Sequence, residues 1–273
     1  MQRVVTRGCA IVCGLLSVSA MCAVPTTATP DTAAWDGLLQ RHVKVVGDGH
    51  ASRVDYAGMR ADRDTLDRYT DALSKITQAQ FKAWDKPAQM AFLINAYNAF
   101  TVKLILTKWP QLKSIKDLGG WLSSPWKLRF FTLLGQRTTL DETETKLREP
   151  GQYDDPRIHF AINCASIGCP MLQAHAYHGA TLDAQLDQAT DDFLADHSRN
   201  RYDASKNVLM LSKIFDWYAD DFSRRGSSSL NKFLATHATQ ISTAPGLSVR
   251  IANGDVKIEY LPYDWQLNTV QPP

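Results

Sequence analysis

Arg157-Ile158-His159-Phe160-Ala161-Ile162-Asn163-Cys164-Ala165-Ser166-Ile167-Gly168-Cys169-Pro170 joins an apolar run to two cysteines. It follows a turn signal, Asp154-Asp155-Pro156. Ile158 to Ile162 is a short continuous apolar run, the pattern of a buried strand, with the titratable His159 inside it. Asn163 to Ser166 are small or polar, and Gly168 and Pro170 break the run. The reading is a buried strand that delivers Asn163, Cys164 and Ser166 to a loop at its C-terminal end. In open sheets with parallel strands that is where ligands bind.

Upstream, Pro87 to Trp109 is the strongest helix signal, apolar nearly all round, with Pro87 in its first turn and Trp109-Pro110 at its end. Asn95, Asn98 and Thr101 recur along it at steps of three and share one face. They either tie the helix to neighbouring backbone or line a cleft. Ala33 to Val46 and Leu66 to Ile76 read as amphipathic helices. Leu128–Leu134 and Arg137–Thr139 read as two strands around Gly135-Gln136. Thr139 and Glu142 form a capping-box pattern for a short helix that carries Glu144, itself readable as a solvated carboxylate near a helix start.

Downstream, a helix is expected from Thr181, a strand over Asn207–Leu211, a helix from Ile214 to near Phe222, and one after Ser227-Ser228-Ser229. Asn253-Gly254 between apolar alternations reads as a hairpin over Val249–Tyr260. Helices and strands mix without strict alternation. The expectation is an α+β single domain over 32–270, with a mostly buried central helix packed against a mixed or antiparallel sheet.

With 273 residues and a formal net charge of +2, the chain has ample material for a core and no charge excess toward nucleic acid or an anionic membrane. Arg3 and Arg7, the short apolar run Ala10–Val18 and the small residues around Ala23 read as a signal peptide over 1–23. An uncleaved anchor and a lipid on Cys22 are the competing readings. Val24 to Asp31 reads as a linker, and the localisation expected is periplasmic or secreted. No membrane span is expected in the mature chain. Of 5 cysteines, Cys9, Cys13 and Cys22 precede the expected cleavage point and Cys164 and Cys169 follow it. In an oxidising compartment that pair can form a disulfide.

Four blocks, Phe92-Leu93-Ile94-Asn95-Ala96-Tyr97-Asn98, Leu140-Asp141-Glu142-Thr143-Glu144, His159-Phe160-Ala161 with Cys164 and Pro170, and Tyr263-Asp264-Trp265-Gln266-Leu267-Asn268, resemble the uncharacterised domain of unknown function 547 family. The resemblance runs from about Trp35 to Asn268. It implies a distant relation to papain-like or transglutaminase-like folds and no stated activity. The family often carries His directly after the residue matching Glu144, where this chain has Thr145.

Three chemistries compete. In the first, Cys164 is a nucleophile, His159 its base and Glu144 the group that orients the base, with Asn95, Asn98 or Asn163 contacting substrate or an oxyanion. Substrates would then be amide or peptide bonds of an envelope peptide or protein. Five extended residues would hold His159 and Cys164 on the order of 16 Å apart and on opposite faces, so this reading requires a bulge or sharp turn near Asn163, or else His175 or His178 folding back from beyond the Pro170 turn as the base. In the second, Cys164 and Cys169 form a disulfide in a non-enzymatic binding or structural domain. In the third, His159, Cys164, Cys169, His175 and His178 ligate a metal, with a spacing that matches no standard finger. No nucleotide-binding glycine motif or paired-carboxylate motif stands out, and no cofactor is expected. The 7 Trp and 9 Tyr are scattered along the chain and read as core rather than as a carbohydrate platform.

Overall fold

The structure is a computed structural model describing residues 28–120, 123–224 and 227–270. The expected signal peptide, and residues 24–27 of the expected linker, lie outside the described residues. The chain runs α1 (Ala33–His42), β1 (Val43–Val46), β2 (Ala51–Val54), α2 (Tyr56–Ala61), α3 (Arg63–Ser74), α4 (Gln78–Ala83) and α5 (Lys86–Leu106). There follow β3 (Phe131–Leu133), β4 (Gln136–Thr138), α6 (Leu140–Leu147), α7 (Ile158–Ala161), α8 (Leu182–Ala195), β5 (Arg201–Asp203) and β6 (Val208–Leu211). The last elements are α9 (Ile214–Trp217), α10 (Leu230–Thr236), α11 (Ala238–Ile241), α12 (Leu247–Asn253) and β7 (Lys257–Tyr260). The architecture is α+β, with two antiparallel hairpins, β1–β2 and β3–β4, and a mixed three-stranded sheet ordered β5-β6-β7. In that sheet β5 pairs antiparallel and β7 parallel to β6.

Helix α5 is central because its sequence leaves it no wet face. Asp85 caps it, accepting from Ala88 N at 2.8 Å, and Pro87 sits in the first turn where its missing N–H costs nothing. From Gln89 onward almost every side chain is buried. The helix packs against the β3–β4 hairpin through Phe100, whose ring stacks on Phe131 with centroids 4.0 Å apart. The three-stranded sheet belongs to a second apolar cluster, centred on Phe160, Phe193, Phe215 and Phe222. Two elements join the clusters. Helix α7 gives Ile158 and Ala161 to the first and Phe160 to the second, and α8 gives Leu186 to the first and Phe193 to the second. No helix among the described residues is long and apolar enough to cross a membrane.

Several local expectations are corrected. The apolar run Ile158–Ile162 is not a strand. It is the helical turn α7, closed by Ile162 N–H donating to Ile158 O at 3.1 Å. Periodicity cannot separate a short buried strand from a short buried helix. The discriminating signal was Asp155-Pro156: Asp155 Oδ1 accepts from Arg157 N, and the carbonyl of Pro156, just ahead of the cap residue Arg157, accepts from His159 N at 3.1 Å, a helix start rather than a mere turn. Helix α1 stops at His42, and the β-branched Val43–Val46 pair instead as β1. The Val249–Tyr260 hairpin does not form. Gly254, at φ 80°, closes α12 as a left-handed C-terminal cap, and β7 then pairs with β6. The helix expected from Ile214 breaks at Tyr218 into α9 and a 3-10 turn over Ala219–Ser223.

Candidate functional site

The loop after α7 is built by asparagines. Asn98 on α5 donates Nδ2 to Ala161 O at 2.9 Å and accepts Asn163 N at 2.8 Å, so it holds both ends of the turn that leaves α7. Asn163 donates Nδ2 to Pro170 O at 2.7 Å and accepts from Ala165 N at 2.9 Å. That bond shapes the turn in which Ala165 sits at φ 61°, the sharp bend that the extended reading lacked. Asn95 is engaged elsewhere: its amide bonds Tyr177 O and Tyr177 N at 2.8 and 2.9 Å. All three amides are buried and hold backbone.

The C-terminal segment straps this loop down. Ile167 N donates to Gln266 O, Gly168 N to Asp264 O and Asn268 N to Ala165 O, while Val54 N of β2 donates to Asn268 O. Buried Asn268 also accepts from Tyr56 Oη at 2.7 Å. From the other side, Arg199 donates to Cys169 O and to His50 O.

Cys164 and Cys169 are joined as a disulfide. Cys169 is buried and Cys164 half-buried. Tyr263 Oη lies 3.2 Å from each sulfur and accepts from Ser166 Oγ at 3.0 Å. Burial pushes the Tyr263 phenol well above its ordinary range, so it stays protonated.

The disulfide lines a cleft of about 340 Å³, together with His159, Glu144, Arg148 and Tyr218. This volume falls in the range of about 300–1,000 Å³ usual for small-ligand sites. His159 is buried, and its Nε2 lies 2.8 Å from Asp221 Oδ2. Burial lowers its pKa against the opposing pull of Asp221, so the ring is held neutral, with the proton on Nε2 and Nδ1 as the acceptor. Asp221 is itself buried. The hydrogen bonds from His159 and Arg148 overcome the opposing effect of burial and hold its carboxyl well below the usual range. The Tyr218 ring stacks on His159 with centroids 4.0 Å apart.

The carboxylate on His159 is thus Asp221. Glu144 is a correction to the expected orienting role: it bonds the Tyr218 hydroxyl and faces Arg148 at 3.9 Å. Burial raises its pKa, with the Tyr218 bond pulling the other way. It is not the solvated carboxylate that its helix position suggested. Cys164, His159 and Glu144 share one cleft, whereas Asn95, Asn98 and Asn163 do not line it. Asp221, Tyr218, Arg148 and Tyr263 were missed from sequence. Asp221 lies 62 residues beyond His159, and the local sequence Tyr218-Ala219-Asp220-Asp221-Phe222 holds two adjacent acids with nothing to single out Asp221.

Among the described residues no group of three or more His, Cys, Asp or Glu is placed to hold a metal ion. His178 pairs with Asp36 at 3.6 Å. The metal reading through His159, Cys164, Cys169, His175 and His178 therefore finds no assembled ligand set.

No curated protein and no solved structure matches the chain, so the implied papain-like or transglutaminase-like relation gains no support there. Three of the four sequence blocks fall inside the segment that a family comparison matches, and Tyr263–Asn268 lies beyond it. Residues 81–194, which carry α5, α6, α7 and the cysteine loop, match the family described as Protein of unknown function, DUF547.

Proposed function

We propose that the cleft is the active site of a thiol-dependent hydrolase or transferase acting on amide bonds, with Cys164 as nucleophile and His159, positioned by Asp221, as its base. One observation carries the reading: Cys164 and a neutral imidazole fixed by a buried carboxylate line the same cleft. Reduction comes first. A dithiol attacks the Cys164–Cys169 bond, takes both oxidising equivalents as its own disulfide, and leaves two thiols. Cys164 then gives its proton to His159 Nδ1, and the imidazolium is stabilised by Asp221. The thiolate attacks the amide carbonyl, forming a C–S bond. Collapse breaks the C–N bond, and the leaving amine takes the proton from His159. Water, deprotonated by the same imidazole, or a second amine completes hydrolysis or transfer and restores the thiol.

The same proposal places the protein in the periplasm or outside the cell, acting on an envelope peptide or protein. Its support is the basic start, short apolar run and small-residue cleavage pattern over 1–23. It treats the described domain as one folded unit. The disulfide also favours a second reading, a binding domain whose Cys164–Cys169 bond is a permanent staple. Intact-mass analysis with p-nitrophenyl acetate separates the two. The enzyme reading expects one acetyl group on Cys164 after reduction, none in the disulfide form and none in Cys164→Ser. A reduced, folded protein that takes no acyl group on Cys164 establishes the staple instead.

A further inference from the structure

Four aromatic residues far apart in the chain converge on the rim of this cleft. Trp217 and Tyr263 have ring centroids 4.9 Å apart, Tyr263 and Trp265 4.5 Å, and Trp126 and Trp265 5.8 Å. All four line the cleft, and each keeps part of its surface exposed. Trp217 is 44% exposed, the most of the four. Lys116 Nζ covers one face of Trp265 at 3.6 Å, and Trp126 hydrogen-bonds the Tyr97 hydroxyl, so two of the rings are fixed in place. An aromatic scatter that reads as core in sequence is, in space, a tilted wall along an open site.

The same cleft also carries polar groups. Ser124, Asp141, Glu144 and Arg148 line it along with the wall. An apolar peptide side chain lying on the rings would cover these groups without giving them partners, which opposes binding. A pyranose ring fits both the wall and the polar groups. Its C–H face lies flat on an aromatic plane, and its hydroxyls both donate and accept.

We infer that the wall of Trp126, Trp217, Tyr263 and Trp265 is a sugar-binding subsite, and that the cleft takes an oligosaccharide of N-acylated amino sugars. That ligand carries the pyranose face the wall accepts and an amide bond. Its identification as substrate rests on the thiol-enzyme reading. Binding does not, and it is measured in the disulfide form, where no thiol chemistry runs.

The experiment is a calorimetric and tryptophan-fluorescence titration of the oxidised protein with the β-1,4-linked trimer of N-acetylglucosamine. A tripeptide with a central phenylalanine serves as the competing probe. Saturable binding of the trimer is expected, weakened about tenfold or more in Trp217→Ala and largely retained in Trp217→Phe. Trp217 lies at the surface, and circular dichroism checks that both variants fold. No saturable binding of the trimer to folded protein overturns the inference, as does equal affinity in Trp217→Ala. Trp217-dependent binding of the tripeptide in place of the trimer also overturns it. Trimer binding by a protein that cannot be acylated on Cys164 supports the subsite and removes only the reaction.

Discussion

Asn98 shows how a single buried amide places the chemistry. Its two polar ends hold Ala161 O and Asn163 N, the last carbonyl of α7 and the first amide of the loop that bears Cys164. Leucine has similar bulk but leaves both backbone groups unpaired in a dry environment. Asn98→Leu should therefore destabilise the protein by about 1–3 kcal/mol, read as a lowered urea midpoint. An unshifted midpoint would mean that the side chain faces an open cleft. The asparagine stripe on α5 was legible in sequence, and so was its choice between backbone and cleft. Which alternative holds depends on Tyr177 and Asn163, distant partners that no local pattern reveals. Asp221 is the sharper case. It is one of two adjacent acids and carries no local mark, and its pairing with His159 exists only after the second cluster has assembled.

At the scale of elements, the chain's own end completes the site. Tyr263 supplies the hydroxyl against both sulfurs, and residues 264–268 bond the loop over 165–168. The approach is close at Gly168, where a Cβ would meet Asp264 O and the Tyr263 ring at 3.0 Å. Neither neighbour is a flexible chain end. Gly168→Ala should thus cost about 1–3 kcal/mol as overpacking and speed proteolysis within 263–270. A variant with wild-type melting and protease resistance would show that the strap yields without cost. The long helix α5 and the β3–β4 hairpin, marked by Gly135 at its turn, were readable in advance. Short elements without a distinctive mark were not. The four residues of α7 carry no period, and Asn253-Gly254 suits a helix cap as well as a hairpin. Packing decided both.

For the whole molecule, buried titratable groups set how stability changes with pH. His159 and Asp221 have pKa values lowered by folding. For both, the unfolded chain binds more protons on acidification. Their contribution to stability should be complete above about 6.5, then fall as His159 and, below about 3.9, Asp221 protonate in the unfolded chain. Glu144 acts in the opposite sense. Its pKa is raised by folding, so stability declines as pH rises above about 4.3, where the unfolded carboxyl ionises. Glu144→Gln removes that decline. It should raise the urea midpoint at pH 7 relative to wild type, with the gain vanishing near pH 4. A lower midpoint at pH 7 would show that the carboxylate is stabilised where it sits.

The proposed role of the imidazole held by Asp221 is to activate Cys164. It is tested most directly by the pH dependence of iodoacetamide labelling of Cys164 and Cys169 in fully reduced protein, followed by peptide mapping. Cys164 should label faster than Cys169, with an apparent pKa below the ordinary thiol value of about 8.5. His159→Gln should return that pKa to the ordinary value without unfolding the protein. A Cys164 pKa at or above about 8.5 in the reduced wild type, unchanged by His159→Gln, would contradict it.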